Sequence, residues 1–184
     1  MNRILLFVIL SVLLPVSQAL QDLLPPIPPF QERLQLLPVV FAFGVLALPL
    51  LPALWFALLA ALVQGLVLLQ VQDGQVEIGL TLPVVFFLCW AFLLQMVSES
   101  TQGMRWELHA FGSALVTVSM IAGQFLTLCI KRGGFPVDWS VLMRIIVPSA
   151  AALLIAPLLY FALRFLVPIA PDDSGDRKPA GFGV

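Results

Sequence analysis

The stretch Gly65–Pro83 reads GLVLLQVQDGQVEIGLTLP and contains two competing signals. Asp73 and Gly74 lie between alternating apolar and polar residues, which is the strongest short-range signal for a β-hairpin. Apolar runs long enough to cross a membrane adjoin the stretch on both sides. The stretch is therefore either a hairpin in a small soluble domain or the tip between two membrane helices, and the fold class depends on which it is.

The composition favours a membrane protein. The chain has 184 residues, of which 61% are hydrophobic and only 10% charged, and its mean hydropathy is +1.07. A soluble domain is ~45–50% apolar and ~25% charged, and a chain of this length has too little interior to bury so much apolar surface. The net charge of -1, with scattered Lys and Arg residues, predicts no nucleic-acid partner and membrane lipid as the surroundings.

The apolar runs predict an all-α fold, an integral membrane helical bundle of about six transmembrane helices. A helix needs about 20 residues to cross a hydrocarbon core of ~30 Å. The second run is short and ends in the proline-marked turn ALPLLPAL, which predicts a tight helix–helix connection. We expect a single domain over residues 1–167 and a flexible, polar cytoplasmic tail over 168–184. The predicted spans are about 4–20, 34–48, 53–71, 80–97, 108–130 and 141–167.

This fold class decides how the opening stretch is interpreted. A hairpin at membrane depth would expose unpaired backbone groups to lipid, at a cost of several kcal/mol each. We therefore expect Asp73 and Gly74 to lie at the outer membrane surface, where water can satisfy the edges of a short hairpin-like extension. The long apolar flanks override the local β signal.

The first apolar segment allows two interpretations. The sequence MNRILLFVILSVLLPVSQALQ has a positive start, an apolar stretch and a small-x-small ending at Ser17-Gln18-Ala19, which is typical of a cleavable secretory signal. An uncleaved first span with its N-terminus inside fits equally well. Both interpretations place residues 21–33 outside, and alternation along the chain then places Asp73 outside and Arg105 inside. The distribution of Lys and Arg supports this orientation only weakly by the positive-inside rule.

Residues for catalysis are largely missing from the sequence. It contains no Walker loop, HExxH or GxSxG motif and no cysteine–histidine cluster. We therefore predict no catalytic residues, no metal and no cofactor, and interpret Cys89 and Cys129 as residues of apolar runs. The only histidine, His109, is predicted to lie at the membrane interface and to cap or hydrogen-bond near a helix end. The alternative is a proton-carrying or ligand-binding histidine, but the interfacial interpretation predicts that His109→Ala is mild.

Uncharged polar residues inside the spans predict hydrogen bonds between helices, with a ligand pocket as the alternative. The fifth span has small residues at Ala110, Gly112 and Ala114, and the sixth has them from Ser149 to Ala152 and at Ala156. Small residues let helix backbones approach closely in membranes, so these two spans are predicted to pack tightly. The polar residues are Gln64, Gln70, Gln95, Ser98, Ser113, Thr117, Ser119, Gln124 and Ser149.

The order and length of the six spans resemble the MreD family, the membrane component of the bacterial rod-shape machinery. In that family the third span ends in a run similar to Gly-x-x-Leu-Asp-Leu-x-Ser-Gly, followed by a second glycine and an apolar span. Here Leu69–Gly74 (LQVQDG) occupies that run, and Gly79 stands near the second glycine, one position late. Gln70 stands where the family has aspartate. The sixth span resembles the family's last helix, with a mid-helix proline and a basic end.

The resemblance implies a non-enzymatic scaffold in the bacterial inner membrane that contributes to peptidoglycan synthesis and cell shape. The implied partners are MreC, MreB, RodA and a penicillin-binding transpeptidase. It also implies an uncleaved first helix and a fold similar to the substrate-binding subunits of energy-coupling-factor transporters. The alternative function is such a subunit of a vitamin importer, and a membrane-embedded enzyme is the least favoured class. The candidate interface or packing residues are Gln70, Asp73, Gly74, Gly79, His109 and Gly112.

Overall fold

The computed structural model describes residues 3–27, 33–68, 71–72, 75–76, 80–100, 106–134 and 138–164. Over these residues the chain forms a helical bundle with one very small hairpin. Five of the helices are long and apolar enough to cross a membrane, which confirms the predicted all-α membrane fold. The elements are α1 (Arg3–Leu23), α2 (Leu37–Ala47), α3 (Leu50–Leu68), β1 (Val71–Gln72), β2 (Gln75–Val76), α4 (Thr81–Ser100), α5 (Trp106–Arg132) and α6 (Trp139–Leu163).

The second helix is the exception in length. Its 11 residues rise only about 16 Å, about half of the hydrocarbon thickness. Pro38 is accommodated in its first turn, where no backbone donor is needed. Leu48, the residue before Pro49, has φ -104° and ψ 149°, the extended conformation that a following proline imposes. The predicted span 34–48 therefore holds a helix too short to cross the membrane alone.

This short helix is the centre of the bundle. All ten residues from Leu37 to Leu46 are buried, and α2 packs against each of the other five helices. Aromatic rings fill the space around it. Phe41 stacks on Phe56 of α3 with ring centroids 6.5 Å apart and meets Phe87 of α4 edge-on at 4.7 Å. The core is thus built around α2, the shortest helix of the bundle.

The first helix packs into the same core. Leu6, Leu10 and Leu14, spaced four residues apart on one face of α1, are each at most 2% exposed. The opposite face, which includes Val12, is open. At the end of α1, the Gln21 side-chain oxygen accepts a 3.1 Å hydrogen bond from the backbone N–H of Leu36, at the start of α2. The first apolar segment is thus a packed helix of this bundle.

The opening stretch satisfies both of its signals. β1 and β2 pair antiparallel between α3 and α4, with Val71 opposite Val76 and Gln72 opposite Gln75. This register leaves a two-residue connection, as the Asp-Gly signal predicts. Asp73 and Gly74 themselves lie outside the described residues, as do Gln70, Gly79 and the predicted tail. We call this end of the bundle the hairpin end, and the end where α4 stops and α5 starts the opposite end.

Candidate functional site

Several polar side chains of the described helices are buried inside the bundle. Two positions stand out, because each places a hydrogen-bonding side chain between helices. Gln95 reaches from α4 to the end of α2, and His109 is buried between α2, α5 and α6. The buried polar residues of the described chain are Ser17, Gln18, Gln21, Gln64, His109, Ser113, Thr117 and Ser149.

Gln95 holds the connection between α2 and α3. Its side-chain amide donates hydrogen bonds to the backbone carbonyl of Val45 and, at 2.8 Å, to that of Leu48. The residue four positions after each acceptor is a proline, Pro49 or Pro52, and proline has no N–H to donate. Gln95 therefore supplies donors where the local backbone has none. This confirms the predicted interhelical hydrogen bond at Gln95.

His109 lies deep in the opposite end of the bundle. Its ring has no exposed surface, and it packs edge-on against Phe43 of α2 with centroids 5.5 Å apart and beside Tyr160 of α6 at 6.0 Å. The Ala156 carbonyl faces the ring, but neither ring nitrogen makes a hydrogen bond of normal geometry. The predicted interfacial, capping histidine was wrong, because the first turn of α5 packs against α2 and α6. The small residue Ala110 beside it, which packs against α6, was the available signal.

Most of the hydroxyl groups bond within their own helix. Ser113 donates to the carbonyl of His109 at 2.7 Å, Thr117 to that of Ser113 at 2.8 Å, and Ser149 to that of Ile145 at 2.7 Å. Each acceptor lies four residues earlier, a common local pattern for Ser and Thr in helices. The predicted interhelical hydrogen bonds of these three residues were therefore wrong.

The small residues of α5 and α6 pack as predicted only in part, since Ala150 is exposed. Ala110 of α5 clusters with Ala152 and Ala156 of α6, and these two helices share the most extensive contact in the bundle. Gly112 instead faces α4, where an added Cβ would lie 2.9 Å from a methyl carbon of Leu94. His109 and Gly112 are therefore neighbours in sequence that face different helices.

A closer approach, which the sequence analysis missed, occurs at Gly44 of α2. A Cβ there would lie 2.2 Å from a ring carbon of Phe56 on α3. Phe56 is fully buried, so its ring has little room to move. A glycine in the middle of a short apolar helix is the only signal that pointed to this contact.

The cavities differ mainly in size, and polar side chains are among the lining residues of the smaller one. A cavity of about 30 Å³ at the hairpin end is lined partly by Gln64 and Gln124, and the buried Gln64 side-chain oxygen lacks a hydrogen-bond partner. This volume suits about one water, whereas ligand pockets measure ~300–1,000 Å³. A cavity of about 500 Å³ lies between α1 and the α2–α3 connection, but only apolar residues line it: Ile4, Phe7, Leu48, Pro49, Pro52, Trp55 and Leu59.

The described residues hold no group of three His, Cys, Asp or Glu side chains that could bind a metal ion. Cys89 and Cys129 are free thiols, the first exposed and the second buried. Of the predicted interface residues, only His109 and Gly112 belong to the described helices, and both are packing residues there.

Comparison of the chain with protein-family models, with curated proteins and with solved structures gives no match. The resemblance to MreD therefore rests on the span order, the run Leu69–Gly74 and the sixth helix. The five long apolar helices make the chain a multi-pass membrane bundle in contact with lipid.

Proposed function

We propose that this chain is a non-enzymatic scaffold of the MreD type, acting in the bacterial inner membrane within the cell-elongation machinery. One observation supports it most directly. Eight polar side chains of the described helices are buried inside the bundle. The outward helix faces carry large apolar residues, including Trp55, Phe92, Phe111 and Leu154. Such faces bind other helices by shape and packing.

The expected partners are MreC, MreB, RodA and a penicillin-binding transpeptidase. The apolar outer faces suit the membrane helices of such partners, because close packing and a few hydrogen bonds hold helices together in lipid. A filament on the cytoplasmic side would instead contact the loops and the tail. The proposal thus assigns membrane partners to helix faces and soluble partners to the connections at one end.

The sizes and linings of the cavities argue against the alternative, a vitamin-binding importer subunit. A substrate subunit needs a pocket with convergent polar groups. In the described part of the chain, the cavity that contains Gln64 and Gln124 has room for about 30 Å³. The 500 Å³ cavity is large enough but has an apolar lining. Neither combines the size and the polarity of a vitamin site.

Co-purification tests the proposal. The full-length protein is isolated from bacterial membranes together with tagged MreC, and four single variants remove one large exposed side chain each: Trp55→Ala, Phe92→Ala, Phe111→Ala and Leu154→Ala. Because these side chains point away from the core, we expect unchanged protein abundance. At least one variant should recover at least fivefold less MreC, and the other three serve as its matched controls.

Two outcomes would contradict the scaffold. One is that the wild-type chain recovers no MreC. The other is that the wild-type chain co-purifies with a pair of ATPase subunits, which would support the importer alternative.

The membrane orientation is tested separately with single cysteines. Gln75→Cys and Gln102→Cys are introduced after both native cysteines have been replaced, and intact cells are treated with a membrane-impermeant thiol reagent. We expect labelling at position 75 and none at position 102. The reverse pattern would invert the orientation and would place the proposed cytoplasmic contacts on the wrong side.

A further inference from the structure

The connection between α2 and α3, residues Leu48 and Pro49, is held from outside its own chain segment. Gly44 accepts a backbone hydrogen bond from Leu48 at 3.1 Å, and Pro49 accepts one from Ala53 at 2.9 Å. The first bond ends α2 and the second begins α3, but neither bond joins α2 to α3. The backbone itself therefore provides no hydrogen bond that fixes the angle between the two helices here.

The prolines of this connection leave acceptors that need an external donor. Neither Val45 nor Leu48 finds a backbone N–H four residues later, because Pro49 and Pro52 occupy those positions. Val45 and Leu48 are both buried in the bundle, so their carbonyls lose water as a partner and need another donor. The Gln95 amide donates to both, one acceptor at the end of α2 and the other in the connection.

We propose that Gln95 is a latch that fixes the α2–α3 joint, defined as Leu48 and Pro49, and that withdrawing its amide releases the joint while the rest of the bundle stays packed. The two acceptors lie at the end of α2 and in the connection, so one side chain ties both of them to α4. Leu48 and Pro49 also line the apolar 500 Å³ cavity beside α1. The latch therefore also sets the shape of that cavity, and Gln95 acts as a positioning residue.

Distance measurements between spin labels test the latch in the full-length protein reconstituted in lipid. One label pair, Leu51→Cys with Phe92→Cys, reports the position of the joint relative to α4. A second pair, Phe92→Cys with Phe111→Cys, reports α4 against α5 and does not involve the joint. All three labelled positions, Leu51, Phe92 and Phe111, are exposed in the bundle, and Cys89 and Cys129 are first replaced by alanine.

Gln95→Met removes both donors and keeps the side-chain length. We expect the Leu51–Phe92 distance distribution to become at least twice as wide, and the Phe92–Phe111 distribution to stay as in the parent protein. Gln124→Met makes the same chemical change at a half-buried glutamine near the hairpin end. This control should leave both distributions unchanged.

Hydrogen exchange gives a readout that needs no labels. The amides of Leu48 and Ala53, which donate to Gly44 and Pro49, should exchange at least tenfold faster in Gln95→Met than in the wild-type protein, with no change in peptides from α5. Unchanged distances and exchange rates in Gln95→Met would overturn the latch. Equal broadening of both label pairs would also overturn it, because Gln95 would then hold the whole bundle and not the joint.

Discussion

The helices α2 and α6 are both strongly apolar, yet their surroundings differ completely. Every residue from Leu37 to Leu46 of α2 is buried. On α6 the buried positions form one stripe, Pro148, Ser149, Ala152, Ala156 and Tyr160, while Leu154 and Leu158 are more than 70% exposed. Two large leucines of α6 thus face outward, while three of its five buried positions are serine or alanine.

The difference shows which force selects the core in a bilayer. Lipid tails are as apolar as leucine, so hydrophobicity does not drive one helix face inward. Close packing does, and small residues and glycine permit it. α2 is enclosed by its neighbours because Gly44 lets α3 approach it and because its polar ends are satisfied by Gln21 and Gln95. The comparison predicts that substitutions matter according to packing and not according to hydropathy.

The largest effect is expected for Gly44→Ala. The new methyl group would lie 2.2 Å from the buried Phe56 ring, so α2 and α3 must separate, and we expect a loss of about 3 kcal/mol in the free energy of unfolding, the upper end for overpacking. The measurement is reversible unfolding in mixed micelles with a denaturing detergent. Gly123→Ala is the matched control, because nothing lies within 4 Å of an added Cβ there and alanine favours helix. Equal stability of Gly44→Ala and wild type would contradict the claim that close packing at Gly44 encloses α2.

Next in size is Leu10→Ala in α1. Leu10 is fully buried, and the cavity left by its truncation should cost about 2 kcal/mol. Val12→Ala, on the exposed side of α1, should cost far less in the same unfolding assay. This pair also tests the two interpretations of the first segment. If a signal peptidase removed the segment, neither variant would change the stability of the purified protein, and its intact mass would show the loss.

His109 is expected to respond in opposite directions to two substitutions. His109→Ala leaves a cavity against Phe43 and Tyr160 and should also cost about 2 kcal/mol, so the mild effect expected from an interfacial position no longer holds. His109→Phe keeps a ring and removes two nitrogens that lack hydrogen bonds. Replacing such a group by an apolar one of similar shape is close to neutral or stabilising.

Unfolding curves of both His109 variants, with MreC recovery measured alongside, separate packing from chemistry. If His109→Phe folds as well as the wild type but loses function, the imidazole has a chemical or ligand-binding role. If it unfolds more easily than His109→Ala, the ring does not occupy the pocket described above.

The sequence predicted the helices well because these depend on local signals, while its Asp-Gly signal left a short hairpin only as a possibility. Apolar length located six helices to within a few residues, and Asp73-Gly74 located the two-residue connection of β1 and β2. The facing of residues could not be predicted in the same way. Both sides of a membrane helix are apolar. The sequence pattern therefore did not indicate that Gly112 faces α4 or that His109 is buried in the bundle.

The hydrogen bonds of Gln95 are an example of a contact that the sequence alone does not predict. Pro49 and Pro52 reveal from sequence that two carbonyls lack local donors. That Gln95 of α4 supplies them depends on tertiary packing, since its acceptors lie 50 and 47 residues away. Local chemistry therefore identifies the need, and only the fold identifies the residue that meets it.

A smaller effect is expected for Gly112→Ala. The added Cβ would lie 2.9 Å from the end of the Leu94 side chain, and a leucine terminus can shift to another rotamer more easily than a buried ring. We expect a loss of about 1 kcal/mol, the lower end for overpacking. Measured beside Gly44→Ala, it separates contact with a flexible side chain from contact with a rigid one. A loss as large as that of Gly44→Ala would show that Leu94 has no alternative position.

The smallest effect on folding is expected for Leu154→Ala on α6. Leu154 is 73% exposed, so truncation opens a space that lipid tails fill, and no cavity forms inside the bundle. The apolar contact is exchanged for another apolar contact, and we expect a change within about 0.5 kcal/mol, as for substitutions away from any packed feature. Ala152→Leu is the reverse test on the same helix, because Ala152 is buried beside Ala110 and Val39. It adds hydrophobicity yet should destabilise by about 1–3 kcal/mol through overpacking. A larger loss for Leu154→Ala than for Ala152→Leu in the micelle assay would mean that hydropathy, and not packing, selects the inward face of α6.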